Sequence, residues 1–482
     1  MTTAEWTTGS APALVLRGTG ARPERVELVG ARARVAATLT GRGKTWTATL
    51  TLSASRWGGP VLPLPSGRYR VHVEPAGSAE NPEAPEPLAL SQLGPLRAAL
   101  NGWELEIGPP VDPAYDAGEA RGALERRYAT GREPLEEAVF FESFYGRNAS
   151  CNPLAIDRVL RERIPGLVRY WSVVDLSVDV PEGAIPVVEG SPDWWRARAV
   201  SRLLVVNDWM RRRYVRRPGQ RVVQTWHGTP LKRLALHRPG FDPRRAVAVV
   251  RESRRWDVLL AQNPYAASIL RRAYAFGRRP IWVEGYPRND VLRTGDAAGV
   301  RARLGIGEDE RVILYAPTWR DDREQIVDFL DAERLAADTG AVVLVRGHSR
   351  TLLPGRDAEG ARVVDVTGFP DTAQLLLAAD ALVTDYSSVM FDFTVTGKPV
   401  YFFVPDLEDY RGRLRGFYFD LAQRAPGPLV RTQEELTRAL AQDTAAYADR
   451  YAAWQRAFNA REDGHAAERV VARILDQGLI GG

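Results

Sequence analysis

The sequence predicts an α/β protein, two tandem doubly wound Rossmann-like domains preceded by a small all-β sandwich, and three features of its patterning carry that expectation. Near the start, short β-rich runs are separated by Gly/Pro turns about every ten residues, the spacing of an antiparallel sandwich. From about Glu136 the pattern changes to short apolar runs alternating with helical stretches, which means a parallel sheet covered on both faces. The same alternation starts afresh after Gly295.

The elements follow in that order. ALVLRG, RVELVGARARVAATLT, TWTATLTLSA and GRYRVHVEP, between Pro12 and about Glu74, supply the sandwich strands. A stretch rich in Pro, Ala and Glu then begins at Pro75 and reads as exposed linker, which assigns residues 1–90 to the sandwich. Trp46 and Trp57 in this domain could stack on sugars or fill its core. Residues 91–295 form the first α/β domain, with strands in AVFF, RLLVVN, RVVQTW, DVLLAQ and IWVEG and helices in NPLAIDRVLRERI and NPYAASILRRAYAFG. Residues 296–482 form the second, with strands in RVILYAP, AVVLVRGH, ARVVDV, ALVTDY and PVYFFV and helices in DTAQLLLAAD and SSVMFDFTVTG.

Composition bounds the chemistry. With 45% apolar and 26% charged residues, 482 residues supply several sizeable cores and no reason for general disorder. Cys151 is the single cysteine, so an internal disulfide and a zinc site of several thiolates are excluded, which fits a reducing compartment. The N-terminus shows no basic segment followed by an apolar run, and nothing approaches the ~18 apolar residues of a spanning helix, so the expectation is a cytoplasmic protein, soluble or peripheral on a membrane face. The formal charge of +5 conceals a concentration of cations: Arg196 to Trp256 holds 17 Lys/Arg against Asp208, Asp242 and Glu252. Such a stripe can serve anionic lipid, a polyphosphate chain or nucleic acid, or be a solvated helix face. It lacks the regular aromatic interleaving of a nucleic-acid groove.

Ligands of open α/β sheets bind beyond the carboxyl ends of strands, so the strand-end loops are where chemistry is sought. RVVQTW runs into HGTPLKRL, which places His227, Gly228 and Thr229 at an expected strand-to-helix turn with Lys232 and Arg233 in the first helical turns. ALVTDYSSVMFDF gives a strand, then Asp385, Tyr386, Ser387 and Ser388, then an apolar helix; free amides at a helix start beside two hydroxyls suit a phosphate, or Asp385 or Ser387 simply caps the helix. YAPTWRDD, VLVRGHSR and VEGYPRND bring Thr318, Arg320, Arg346, His348 and Arg288 to three further strand ends, where the cations could converge on a pyrophosphate. FFESFYGRNASCNP opens the first α/β domain with Ser143, Gly146, Arg147 and Asn152 placed to meet an acceptor or to shape the turn.

FESFYGRNASCNP, QTWHGTPLKRL, EGYPRND, YAPTWRDD, RGHS and TDYSSVMFDF, in this order, resemble the CDP-glycerol glycerophosphotransferase family, the teichoic acid polymerase-like enzymes, from roughly Glu136 to Gln477. The sandwich lies outside the resemblance. What it implies is a GT-B-like pair of domains, a CDP-polyol donor (CDP-glycerol or a relative) between them, and a lipid-linked or polymeric acceptor. It further implies action on a teichoic-acid-like or capsular polymer, no essential metal or other cofactor, and a place on the inner membrane face, which charge alone would assign to the Arg196 to Trp256 stripe. On this reading an acceptor hydroxyl attacks phosphorus and His227 is the general base. His348 bonds donor phosphate; Arg288, Thr318, Arg320, Arg346, Asp385, Ser387 and Ser388 hold the donor. Ser143, Gly146, Arg147, Asn152, Gly228, Thr229 and Lys232 lie on the acceptor side. Exchanged roles for the two histidines, or Asp385 or Asp290 as base, stay open, and Asp321-Asp322 is the nearest pair for a metal. Two other readings compete: a sugar transferase of the same fold using a UDP- or GDP-sugar, and a polyanion-binding protein without catalysis.

Overall fold

The computed structural model describes residues 2–9, 11–42, 44–76, 82–240, 242–318, 330–347, 362–407 and 416–481. The N-terminal unit is built of antiparallel sheets. One has four strands, Thr2–Thr7, Ala13–Thr19, Thr45–Thr51 and Thr38–Arg42 in spatial order. The other has six, and its alternating apolar positions (Val26, Leu28, Tyr69, Val71) meet Leu14, Leu16, Ala48 and Leu50 of the first in a shared core. Trp46 is 2% exposed in that core. A Cβ on Gly18 would overlap its ring, so the glycine makes room for the indole and Trp46 is no sugar platform.

The expected boundary at residue 90 falls inside this unit. Strands Leu88–Gln92, Arg97–Asn101 and Glu104–Gly108 return to the six-stranded sheet, the last paired with Gly67–Glu74. Their alternation buries Ala98, Leu100, Leu105 and Ile107 on the sandwich core, which a linker composition upstream of them conceals. The first α-helix among the described residues, Gly118–Thr130, comes only afterwards.

Two parallel sheets follow. The first has seven strands between Glu136 and Val283, in spatial order third, second, first, fourth, fifth, sixth and seventh by chain position. The second has six strands between Val312 and Val430, in spatial order third, second, first, fourth, fifth and sixth. Both are doubly wound, and in both the order reverses between the first and fourth strands, the position where such sheets open a crevice. Val139, Phe141, Leu203 and Val205 in the first and Val312, Leu314, Leu344 and Leu382 in the second are fully buried, as strands covered on both faces require.

The second α/β unit does not run to the C-terminus, as a 296–482 domain would. Helix Ala466–Asp476 returns to the first sheet, where Val470, Val471 and Ile474 pack with Phe141, Ile156 and Leu160. Asp290 receives it: its carboxylate accepts from the amides of Ala466 (2.9 Å) and Ala467 (2.8 Å). That carboxylate is occupied as a cap, which takes Asp290 out of contention as a base. Asp290→Ala leaves two helix-start amides without their acceptor and is expected to cost about 1–2 kcal/mol, read as a lower urea midpoint with unchanged slope. An unchanged midpoint would show that the helix is held by its apolar face alone.

Candidate functional site

The switch points of the two sheets are built alike. In the first unit, the Phe144 amide just past strand one donates to Asn207 Oδ1 just past strand four (2.9 Å). In the second, the Thr318 amide donates to Asp385 Oδ1 (2.8 Å). Each side chain ties together the two strand ends between which the sheet reverses. Asp385 therefore organises backbone at its strand end through Oδ1.

His227 sits beside the first of these points. The turn before it is strained: Trp226 has φ +51°, and Asn152 Nδ2 donates to the carbonyls of Thr225 (3.2 Å) and Trp226 (3.1 Å) to hold it there. The imidazole stacks on Trp226 with ring centroids 4.8 Å apart. Its Nδ1 lies 2.6 Å from the Asn207 carbonyl oxygen, which can only accept. Nδ1 therefore carries the proton, and in the neutral ring Nε2 keeps a lone pair for an incoming proton.

The helix expected after His227 is absent. Residues 228–234 run irregularly to a single turn at Ala235–His237, and Lys232 forms a β-bridge with Phe417 of the second unit. The Tyr418 amide donates to Leu231 O (2.8 Å) and the Arg233 amide to Gly416 O (3.1 Å), so backbone groups a helix would satisfy internally are spent across the interface. Thr229 caps no helix; its hydroxyl donates to Gln262 Oε1 and accepts from Asn263 Nδ2 (3.1 Å).

On the facing side, Ser387 and Ser388 are half-buried and precede the short helix Val389–Phe393. A Cβ on Gly228 would lie 2.6 Å from Ser388 Oγ, so the absence of a side chain there lets the two loops meet. Beneath that contact lies a polar knot joining the units. Arg288 Nη2 pairs with Asp392 Oδ2 at 2.6 Å, with the two side chains 12% and 6% exposed. Its Nη1 donates to His227 O (2.9 Å) and Cys151 Sγ (3.1 Å), and its amide to Asn152 Oδ1 (3.2 Å). Burial opposes the guanidinium charge, and Asp392, Cys151 and Tyr286 together more than compensate, raising the Arg288 pKa. Asn289 Nδ2 donates to Asp392 Oδ1 (2.9 Å). Glu462, on the segment leading to the last helix, accepts the Tyr286 amide (3.1 Å).

Several predicted site residues thus have structural tasks. Arg288 locks the interface instead of pointing to a donor. Arg346 Nη1 donates to the carbonyls of Val366 (3.2 Å) and Phe369 (3.0 Å), holding a turn of its own unit. Ser143 is fully buried, donating to Ser150 O (3.0 Å), and Asn152 supports the His227 turn. Gly146 has φ +74°, and a Cβ would press on the Ser172–Val173 backbone at 3.1 Å. Arg147 is exposed. Arg320, His348 and Asp321-Asp322 lie outside the described residues. Sequence reasoning missed Asn207, Asp392 and Glu462. The only prior signal was Asp392, an acid inside the apolar run VMFDF.

The sequence profile described as CDP-glycerol:poly(glycerophosphate) glycerophosphotransferase matches residues 129–476. The teichoic acid poly(glycerol phosphate) polymerase of Bacillus subtilis (strain 168) is 40% identical over 336 residues, covering 64% of this chain and 44% of that protein. The teichoic acid glycerol-phosphate transferase of Staphylococcus aureus (strain NCTC 8325 / PS 47) is 36% identical over 381 residues, covering 71% of this chain and 94% of that one. A solved structure of the wall teichoic acid polymerase TagF superposes with a TM-score of 0.68 at 31% identity, covering 74% of this chain and 93% of that chain.

The knot generates a pH prediction. Burial pushes Glu462 up to about 8. Its Oε2 is buried without a hydrogen-bond partner among the described residues, so no donor there holds the ionised form. The folded state therefore holds a proton that the unfolded chain releases near the ordinary glutamate value, and stability falls as pH rises from about 4.5 towards about 8. Glu462→Gln is expected to flatten that fall, shifting the difference between urea stabilities at pH 5 and pH 8 by on the order of a few kcal/mol. Parallel pH profiles for the two proteins would mean that Glu462 is ionised in the fold.

Proposed function

Because this chain belongs to the CDP-glycerol:poly(glycerophosphate) glycerophosphotransferase family, we propose that it transfers glycerol phosphate from CDP-glycerol to the hydroxyl of a teichoic-acid-like acceptor, releasing CMP. The observation that carries the reading is the His227 tautomer, with Nδ1 bonded to Asn207 O and Nε2 left as the acceptor. The acceptor oxygen attacks the glycerol-bearing phosphorus as its proton passes to Nε2; the new P–O bond forms while the bond from phosphorus to the CMP oxygen breaks. Ser387 and Ser388, with Thr318 at the neighbouring strand end, form the donor side in a GT-B-like arrangement. Arg320 and His348 supply the cation and hydrogen bond to the leaving group, with no metal in the scheme. Arg147, Gly228 and Lys232 line the acceptor side. Glycerol is favoured over ribitol because the glycerol-phosphate enzymes are 34–40% identical to this chain and the ribitol-phosphate enzymes 26–31%.

The basic stripe supports a place on the anionic inner face of the cell membrane. Helix Pro243–Ser253 presents Val247, 67% exposed, beside Arg244 and Arg251. With Trp209, Arg212 and Arg213 these residues line a groove of about 910 Å³. A cationic surface carrying an exposed apolar residue suits an anionic headgroup layer. No helix among the described residues is long and apolar enough to cross a membrane.

The test is CMP release from CDP-glycerol with a lipid-linked acceptor, in the presence of EDTA, with CDP-ribitol and UDP- and GDP-sugars as alternatives. Acceptor-dependent, EDTA-resistant release is expected, reduced roughly 100-fold or more by His227→Ala. Turnover of a nucleotide sugar in place of either CDP-polyol would overturn the proposal.

A further inference from the structure

The N-terminal sandwich lies outside the matched family region, yet it touches both α/β units through one turn. Strands Ser53–Ser55 and Val61–Pro63 form a two-stranded hairpin, and its Arg56–Gly59 turn is closed by the Gly59 amide donating to Arg56 O (2.9 Å). Trp57 and Gly58 have φ +55° and +65°. Two successive left-handed residues suit Asn-Gly or Gly-Gly; an indole at the first costs backbone strain that its surroundings must hold.

Those surroundings join the two units. Arg56 Nη2 donates to Ser177 O of the first unit (2.7 Å), and the buried Asp175 accepts the Ser66 amide (2.8 Å). Trp57 turns the other way. Its ring meets Phe369 of the second unit at 5.5 Å, Arg303 Nε donates to its carbonyl (3.1 Å), and Arg303 lies over Phe369 at 5.4 Å. A Cβ on Gly368 would rest on the indole at 3.8 Å.

The turn Trp57 sits on is the one that holds Arg346 and Gly347 at their strand end. Arg346 Nη1 donates to the carbonyls of Val366 and Phe369, and the Gly347 amide donates to Thr367 Oγ1 (2.8 Å). We infer that Trp57 is a positioning residue for the donor: seated on Phe369, it fixes the Val366–Phe369 turn and through it Arg346 and Gly347, so the sandwich sets the geometry of a strand end in another domain. The inference rests on the proposed donor-side role of the segment that leads to His348. An unchanged acceptor KM is its corollary, since the contacts of Trp57 among the described residues are with Phe369, Arg303 and Gly368 of the second unit.

The experiment uses the full chain as wild type, Trp57→Ala and Trp57→Phe, each assayed for CMP release with CDP-glycerol and acceptor varied in turn. Hydrogen exchange is followed at the amides of residues 345–347. Trp57→Ala is expected to raise the KM for CDP-glycerol roughly tenfold with the acceptor KM unchanged, to speed exchange at Gly347, and to be largely rescued in both by Trp57→Phe. An unchanged donor KM overturns the inference. So does an equal loss on donor and acceptor sides accompanied by a lower thermal midpoint, which a merely structural role would give. If wild type releases no CMP, the functional reading fails by itself; unchanged exchange at Gly347 in Trp57→Ala would then remove the positioning claim as well, and faster exchange rescued by Trp57→Phe would retain it.

Discussion

The ion pair between Arg288 and Asp392 is the constraint on which the rest of the site depends. Burying two charges costs several kcal/mol per ion, and the pair recovers this only through further hydrogen bonds. Here those bonds run outward to the His227 carbonyl, Cys151 Sγ and Asn289. Rotating one unit against the other would strand a guanidinium or a carboxylate in the interface, at a cost of about 3–5 kcal/mol. The pair thus specifies one orientation of the two units more than it stabilises either of them. That orientation is what brings Gly228 against Ser388.

The two switch points repeat one device with different chemistry. Asn207 and Asp385 each accept an amide from the neighbouring strand end, so both side chains are locked before any ligand arrives. Asn207 has a second use, because its carbonyl selects the His227 tautomer. Preorganisation of this kind confines the imidazole to one orientation and removes a rotational freedom that binding would otherwise have to quench. Asp385 is confined in the same way by the Thr318 amide.

Much of this architecture was legible in the sequence, for physical reasons that also explain the rest. Periodicity reports burial, so the strands of both parallel sheets and the helices at Cys151–Arg163, Pro264–Ala273 and Thr372–Ala378 stood out. The strand-end position of His227 followed from the same pattern. Periodicity does not report which sheet a strand joins, so the expected boundary at residue 90 cuts Leu88–Gln92 and leaves Arg97–Asn101 and Glu104–Gly108 outside the sandwich. Nor does it report where a long side chain turns. A strand-end arginine reads the same whether its guanidinium faces a ligand or, as for Arg288 and Arg346, folds back on carbonyls and a carboxylate. The irregular course after His227 was hidden for a related cause: Pro230 suits a helix start, and only the partner backbone at 416–418 decides otherwise.

Backbone strain marks where these loops are held by something other than local preference. Phe144, Tyr145, Cys151 and Trp226 all have positive φ, and all lie at the strand ends around His227. Each such residue costs about 1–3 kcal/mol and persists only where its surroundings over-determine it. For Phe144 the restraint is the Asn207 side chain, and for Trp226 it is Asn152, itself held by the Arg288 amide. The restraints are therefore connected, running from the imidazole through Trp226 and Asn152 to the interface ion pair. A sequence reader sees four ordinary residues in FYGRNASC and TWHG; in the fold amide side chains hold Phe144 and Trp226, Asp208 accepts from the Tyr145 hydroxyl and Arg288 donates to Cys151 Sγ. Because the restraints are linked in this way, the orientation of the imidazole depends on the distant contact between the two sheets as well as on its own turn.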